Sequence, residues 1–177
     1  MRVFQILAFV LAAAAGGCVV SKAPLQSLGE RALPFPSGTI VAIFERADAK
    51  TPWKQAEQKS QALVADKERV YRATRDDGTL EQDGMAFYPI APDRYLVEAQ
   101  FSKQRYGYAV LQIRNGEGLV SPINCKAVDP ETLKKAGMKI VADDCWLEDT
   151  KDPAGFLKTL AALALEPTVK YVPVKTK

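Results

Sequence analysis

The 177-residue sequence contains no histidine, only three cysteines, and no long run of lysine or arginine. Without histidine, Ser-His-Asp and Cys-His catalysis are excluded, as are histidine-ligated zinc and iron sites. Carboxylate, Ser-Lys and tyrosine chemistry survive that test. The net charge is +3 with basic residues scattered along the chain, which excludes nucleic acid as an expected main partner. No Gly-rich phosphate loop and no G-x-S-x-G elbow is present. The cysteine spacings fit neither a C-x-x-C redox motif nor a zinc ribbon. No metal or cofactor is expected, and no catalytic residue is assigned.

The one long apolar run lies at the start. Met1-Arg2 is a short basic opening, "VFQILAFVLAAAA" is apolar apart from Gln5, and Gly16-Gly17 lead into Cys18. This order of charged, apolar and small-residue regions is that of a secretory signal. The stretch Ala15-Gly16-Gly17-Cys18 resembles the lipobox of bacterial lipoproteins, with Ala15 where that family prefers leucine. The resemblance implies a signal peptide over residues 1–17 and lipidation of Cys18 as the first residue of the mature chain. It implies a cell-envelope location, at the outer membrane facing the periplasm if the cell has two membranes, since Val19 is not the aspartate associated with inner-membrane retention. Plain secretion, an uncleaved anchor and a buried helix are the other readings of these residues. A span needs about 20 strongly apolar residues, and this run is rich in Ala and Gly.

Lipidation of Cys18 leaves Cys125 and Cys145. In an exported chain an even pair reads as a disulfide; two unpaired thiols are the alternative, favoured if the chain is cytosolic.

The remaining organisation follows from punctuation and period. Residues 18–37, with Pro24, Pro34 and Pro36, read as the lipidated cysteine and a tether; an arm packed through Leu33 and Phe35 is the alternative. Residues 38–177 read as a single α+β domain. Thr39–Arg46 is a strand of continuous apolar, β-branched character. Residues 47–61 are polar and read as a loop with a short helix, 62–74 as a strand ending at Thr74 with a helix as the alternative, and 75–84 as turns around Gly78 and Gly84. Tyr95, Val97, Ala99 and Phe101 alternate with Leu96, Glu98 and Gln100, the period of a half-buried strand. Residues 106–114 return as its hairpin partner. Asn115-Gly116 is a hairpin turn signal, and 119–124 a third strand with Pro122 near an edge or end. Asp129-Pro130 and Asp152-Pro153 each start a helix, the first stopped by Gly137. Residues 138–146 read as a short strand or extended segment and 168–174 as a final edge strand. The expected architecture is an antiparallel meander, preferably a small barrel or half-barrel, with two short helices near the C-terminus.

Candidate functional residues are few. Tyr95, Tyr106 and Tyr108 on the hairpin could form a face for stacking a glycan or binding an envelope protein; core packing is the competing role. Asp76, Asp77, Glu81 and Asp83 form an acidic loop without EF-hand spacing. Asp143, Asp144, Glu148 and Asp149 flank Cys145 and could supply a carboxylate pair for hydrolysis. The leading expectation is a membrane-tethered, non-enzymatic binding or structural lipoprotein. A carboxylate-based envelope hydrolase, or an inhibitor of an external hydrolase, is the alternative.

Overall fold

The computed structural model describes residues 18–74, 79–142, 144–163 and 165–174. The leader, Asp76, Asp77 and Asp143 lie outside them, as does the side chain of Glu81.

Eight antiparallel strands close into a barrel. They are β2 (Thr39–Glu45), β3 (Lys54–Ala65), β4 (Tyr71–Thr74), β5 (Leu80–Ala91), β6 (Arg94–Ser102), β7 (Arg105–Arg114), β8 (Glu117–Pro122) and β11 (Val169–Pro173). Sequential neighbours pair from β2 to β8, and β11 closes the ring between β8 and β2. Three short strands lie beside β7: β1 (Val19–Ser21), then β10 (Asp144–Trp146), then β9 (Lys139–Val141). Among the described residues two α-helices complete the fold, α1 (Pro130–Ala136) and α2 (Pro153–Ala161). The fold is thus mostly β, with a closed barrel where a barrel or half-barrel was expected. The final strand is not an edge: Val169 pairs with both Glu45 and Val120.

Both faces of β5 to β7 are buried. Alternate strand residues point to opposite faces, and here they enter two different cores. Met85, Phe87, Val97, Ala99, Ala109 and Leu111 face the interior with Leu63, Tyr71 and Tyr171. Ala86, Tyr88, Leu96, Tyr108 and Val110 pack outward against Leu133 of α1 and Leu157 and Leu160 of α2. An eight-stranded barrel is narrow enough for side chains to fill, and Phe35 adds a plug from outside the strands. Its backbone N–H donates to the Tyr71 hydroxyl at 3.2 Å, and that hydroxyl donates to the Phe35 carbonyl. A Cβ on Gly118 would stand 2.8 Å from the Phe35 ring and 2.9 Å from Leu111. Gly118 is therefore the residue that makes room for the plug.

Residues 18–37 are not a free tether. Val19 and Val20 are fully buried in β1, paired with β7 on one side and β10 on the other. The arm then crosses successive strands. Leu25 N–H reaches Glu98 on β6, Ala32 N–H reaches the Phe87 carbonyl on β5, Phe35 meets Tyr71 on β4, and Gly38 N–H reaches Leu63 on β3. Prolines within the arm keep its backbone extended without preventing it from packing.

Several local expectations also change: the strand read over 62–74 is broken by a turn between β3 and β4, where Asp66 and Val70 are hydrogen-bonded, and the one read over 138–146 is two strands, β9 and β10. Residues 54–61 continue β3, not a loop with a helix; Lys54, Gln55, Glu57, Lys59 and Ser60 face solvent while Ala56 faces the core. Gly84 lies within β5, not in a turn, because a Cβ there would come 2.5 Å from Val70 Cγ1. Both helices start as their sequences imply, capped by Asp129 and Asp152; Gly137 ends α1 at φ 79°, and α2 ends at Ala161.

Cys125 and Cys145 form a disulfide across a separation of 20 residues. It ties the turn after β8 to β10, and Cys145 is the register partner of Val19. Replacing both by serine is expected to lower stability by about 3 kcal/mol from loop-closure entropy, read as a lower urea midpoint. Phe35→Ala should cost about 3–5 kcal/mol by emptying the barrel mouth; a loss under about 1 kcal/mol in the same titration would mean that the plug is dispensable.

Candidate functional site

Among the described residues Glu98 is the buried carboxyl side chain. It is 4% exposed on the outer face of β6, in a position where a charge is costly unless hydrogen-bonded. Its partners come from three elements. Oε2 accepts from Leu25 N–H at 2.8 Å and from the Tyr108 hydroxyl at 3.3 Å, and Oε1 accepts from the Tyr88 hydroxyl at 3.2 Å. The network extends outward at both ends. Arg31 Nε donates to the Tyr88 hydroxyl at 3.3 Å, and the Tyr108 and Ser21 hydroxyls lie 2.7 Å apart. Burial pushes the Glu98 pKa up, against the hydrogen bonds and Arg31, which pull it down. Burial and the nearby Glu98 likewise raise the Tyr108 pKa.

Two adjoining clefts open above this network, sharing Arg31 and Glu68. The larger, about 540 Å³, lies between the arm (Leu25, Gly29, Glu30, Arg31) and the β3–β4 turn (Lys67, Glu68, Arg69), with Tyr88 beneath. That volume is in the range of ligand clefts. The smaller, about 180 Å³, is lined by Arg72, Gln100 and Tyr106 and reaches Glu98. The rim is held rigidly. Asp66 accepts from the N–H groups of Glu68 and Val70 at 2.8 and 3.0 Å and from Arg72 Nε at 2.7 Å. Burial raises the Asp66 pKa, but these bonds outweigh it and hold the carboxyl below its usual range. Arg69 donates to the Arg31 carbonyl at 3.0 Å, linking the turn to the arm.

The residues singled out from sequence fall in different places. Tyr108 is fully buried in the Glu98 network, so it cannot serve as an exposed stacking platform. Tyr95 packs against the barrel interior. Tyr106 is half-buried and lines the smaller cleft. The described carboxylates around Cys145 do not converge on either cleft. Asp144 pairs with Arg105, Glu148 accepts from Lys22 N–H, and Asp149 lies at the surface. Cys18 is buried beside Asn124 at the start of β1; as a thiol it is held neutral by burial and by Asp144. That is the opposite of an activated nucleophile. Among the described residues no group of acidic or cysteine side chains is arranged to hold a metal ion. Sequence reading passed over Glu98 because it sits in an alternating strand where a polar residue reads as solvent-facing. Its signal is visible only once the arm covers that face.

Comparison with protein families, curated proteins and solved structures finds no match to this chain. The class of protein is therefore defined by its architecture alone: a filled eight-stranded barrel with a buried carboxylate network under a polar groove.

The network makes a pH prediction. Folding holds the Glu98 proton more tightly than the unfolded chain does. Its contribution is therefore full below the ordinary carboxylate pKa and is lost as pH rises through the raised value. Glu98→Gln can accept from Leu25 and Tyr108 and donate to Tyr88, so it should keep the fold and flatten stability over that window. Glu98→Leu strands those groups and should cost about 1–3 kcal/mol for each one left unsatisfied. Urea titrations across pH check both; an unchanged pH profile in Glu98→Gln would show that Glu98 does not titrate in folding.

Proposed function

We propose that the chain is a lipoprotein of a bacterial cell envelope, anchored through Cys18, whose barrel acts as a non-enzymatic binding module. The observation that carries the anchor is how β1 begins. Cys18 is followed at once by a strand locked on both sides: Cys145 N–H donates to the Cys18 carbonyl at 2.9 Å, and Val19 N–H to the Ile123 carbonyl at 3.2 Å. The lipobox-like residues end where the packed domain starts, and the Cys125–Cys145 disulfide braces the same spot, in keeping with an oxidising compartment. No helix among the described residues is long and apolar enough to cross a membrane, and a lipid at Cys18 would supply the attachment.

The binding reading rests on the groove. Its walls carry Arg31, Lys67 and Arg69 against Glu30 and Glu68, a mixed polar lining suited to a glycan or an extended peptide segment. The carboxylate with a raised pKa borders the smaller cleft but is only 4% exposed, and its oxygens are already engaged by Leu25 N–H, Tyr88 and Tyr108, an arrangement that favours a structural role over acid catalysis. A general acid has to reach the atom it protonates.

Labelled palmitate should enter the wild-type protein and not Cys18→Ser; equal labelling of both removes the anchor reading. For the groove, calorimetric titration with soluble cell-wall glycan fragments and with envelope-protein peptides should show saturable binding, weakened about tenfold by Lys67→Glu at unchanged thermal stability. Turnover of the glycan that disappears in Glu98→Gln would replace the binder by a hydrolase.

A further inference from the structure

The outermost strand, β9, exposes what a folded domain ordinarily hides. Ile140 is 60% and Val141 45% exposed. Adjacent strand residues point to opposite faces, so both faces of this ribbon are open and neither lies on the domain. It is also a sheet edge, the kind of element that soluble proteins cover or blunt with charge. Its position matters more than its composition. Val19 pairs with Cys145, and Cys145 with Ile140; Asp144 pairs with Val141 one step back. Cys18, Asp144 and Val141 therefore stand level across three neighbouring strands. Two strand spacings put Val141 about 10 Å from Cys18.

We propose that this ribbon is a second, non-covalent membrane contact: Ile140 and Val141 enter the headgroup region of the bilayer that holds the Cys18 lipid. The proposal rests on the anchor reading above. Because β1 begins at Val19, the anchor has no slack, and the surface within about 10 Å of Cys18 is brought to the interface by the lipid itself. A flexible linker would allow the barrel to tumble; a strand clamped between β7 and β10 does not. The charge around the ribbon is mixed: Lys134, Lys135 and Lys139 are exposed on α1 and β9, Lys135 pairs with Glu131 and Arg105 with Asp144, and Glu148 and Asp149 are exposed just after β10. Apolar residues flanked by lysines whose stems can lie along the acyl boundary are suited to interfacial binding. A lipid anchor and a weak protein contact then act together, as two-signal membrane attachment does. The consequence is a fixed orientation of the barrel, and of its groove, relative to the bilayer.

The test uses the full chain, expressed with its leader, purified from membranes and reconstituted into vesicles of phosphatidylglycerol and phosphatidylcholine brominated near the headgroup. Mass spectrometry of the N-terminal peptide first establishes acylation of Cys18. Tryptophan is then added by Val141→Trp and, as the control, by Val174→Trp. Val174 is equally exposed and lies past the β11 end that pairs with Gly118 and Val41, away from the end of β8 that leads to Cys18. Relative to the unsubstituted protein, which carries its own Trp53 and Trp146, the indole added by Val141→Trp should be quenched and that added by Val174→Trp should not. In the unsubstituted protein, vesicles should also slow tryptic cleavage after Lys139 severalfold relative to detergent. Acylated protein with equal quenching at both positions, or with Lys139 cut at the same rate, overturns the docking and leaves the anchor standing. A chain without acyl groups overturns both.

Discussion

One buried carboxylate decides the path of the first twenty residues of the folded chain. Glu98 points outward from β6, the direction in which a barrel strand normally meets water. Here the arm lies over it, and the carboxylate is tolerated because Leu25 N–H, Tyr88 and Tyr108 surround it. Through Tyr108 it reaches Ser21 at the end of β1, and through Tyr88 it reaches Arg31 at the groove. An apolar residue in its place would remove the acceptor of Leu25, Tyr88 and Tyr108, while Ala32 and Gly38 N–H would still tie the later part of the arm to β5 and β3. The arm's course over β6 and the cover on that outer face follow from the Glu98 contact.

The arm also joins the two cores. At one end Val19 packs with Cys125, Cys145 and the helices; at the other Phe35 enters the barrel. The same short segment therefore closes the barrel mouth and seals the outer face, so the two cores are expected to lose order together if it detaches. With the interior occupied by side chains, function is pushed to the outside of the barrel. There the groove is built from loops and arm, and the strand that follows Cys18 is built into the sheet. The disulfide adds its constraint at the point where a pull on Cys18 would be felt first.

Much of the architecture was legible because it is local. Asp-Pro helix starts, the Asn115-Gly116 turn and the alternation around Tyr95–Phe101 depend on backbone preferences that act over a few residues. They appear as capped helices, as a tight turn with Asn115 and Gly116 at positive φ, and as paired strands. β3 was misread because a barrel strand facing solvent on one side, with an alanine inward, carries little apolar signal. Gly84 was misread because a turn and a close strand approach both call for glycine. The aromatic hairpin was legible as a hairpin and not as a surface, since period alone cannot say whether the outer face of a strand will be covered.

By itself, the sequence determined the hairpins around Tyr95–Pro122 and the two Asp-Pro helix starts, the exclusion of histidine chemistry, the lipobox-like leader, and the pairing of the two remaining cysteines if the chain is exported. Each depends on residue type and short spacing. Tertiary structure alone decided that β11 closes the ring, that the arm is a belt and not a tether, that Tyr108 is buried while Ile140 and Val141 are exposed, and that Glu98 is a buried, hydrogen-bonded carboxyl. These depend on which distant segment lies over a given face. Covering a face reverses what its residues mean: Tyr108 becomes core, Glu98 becomes a lock, and an uncovered Ile140 becomes the feature that needs a partner.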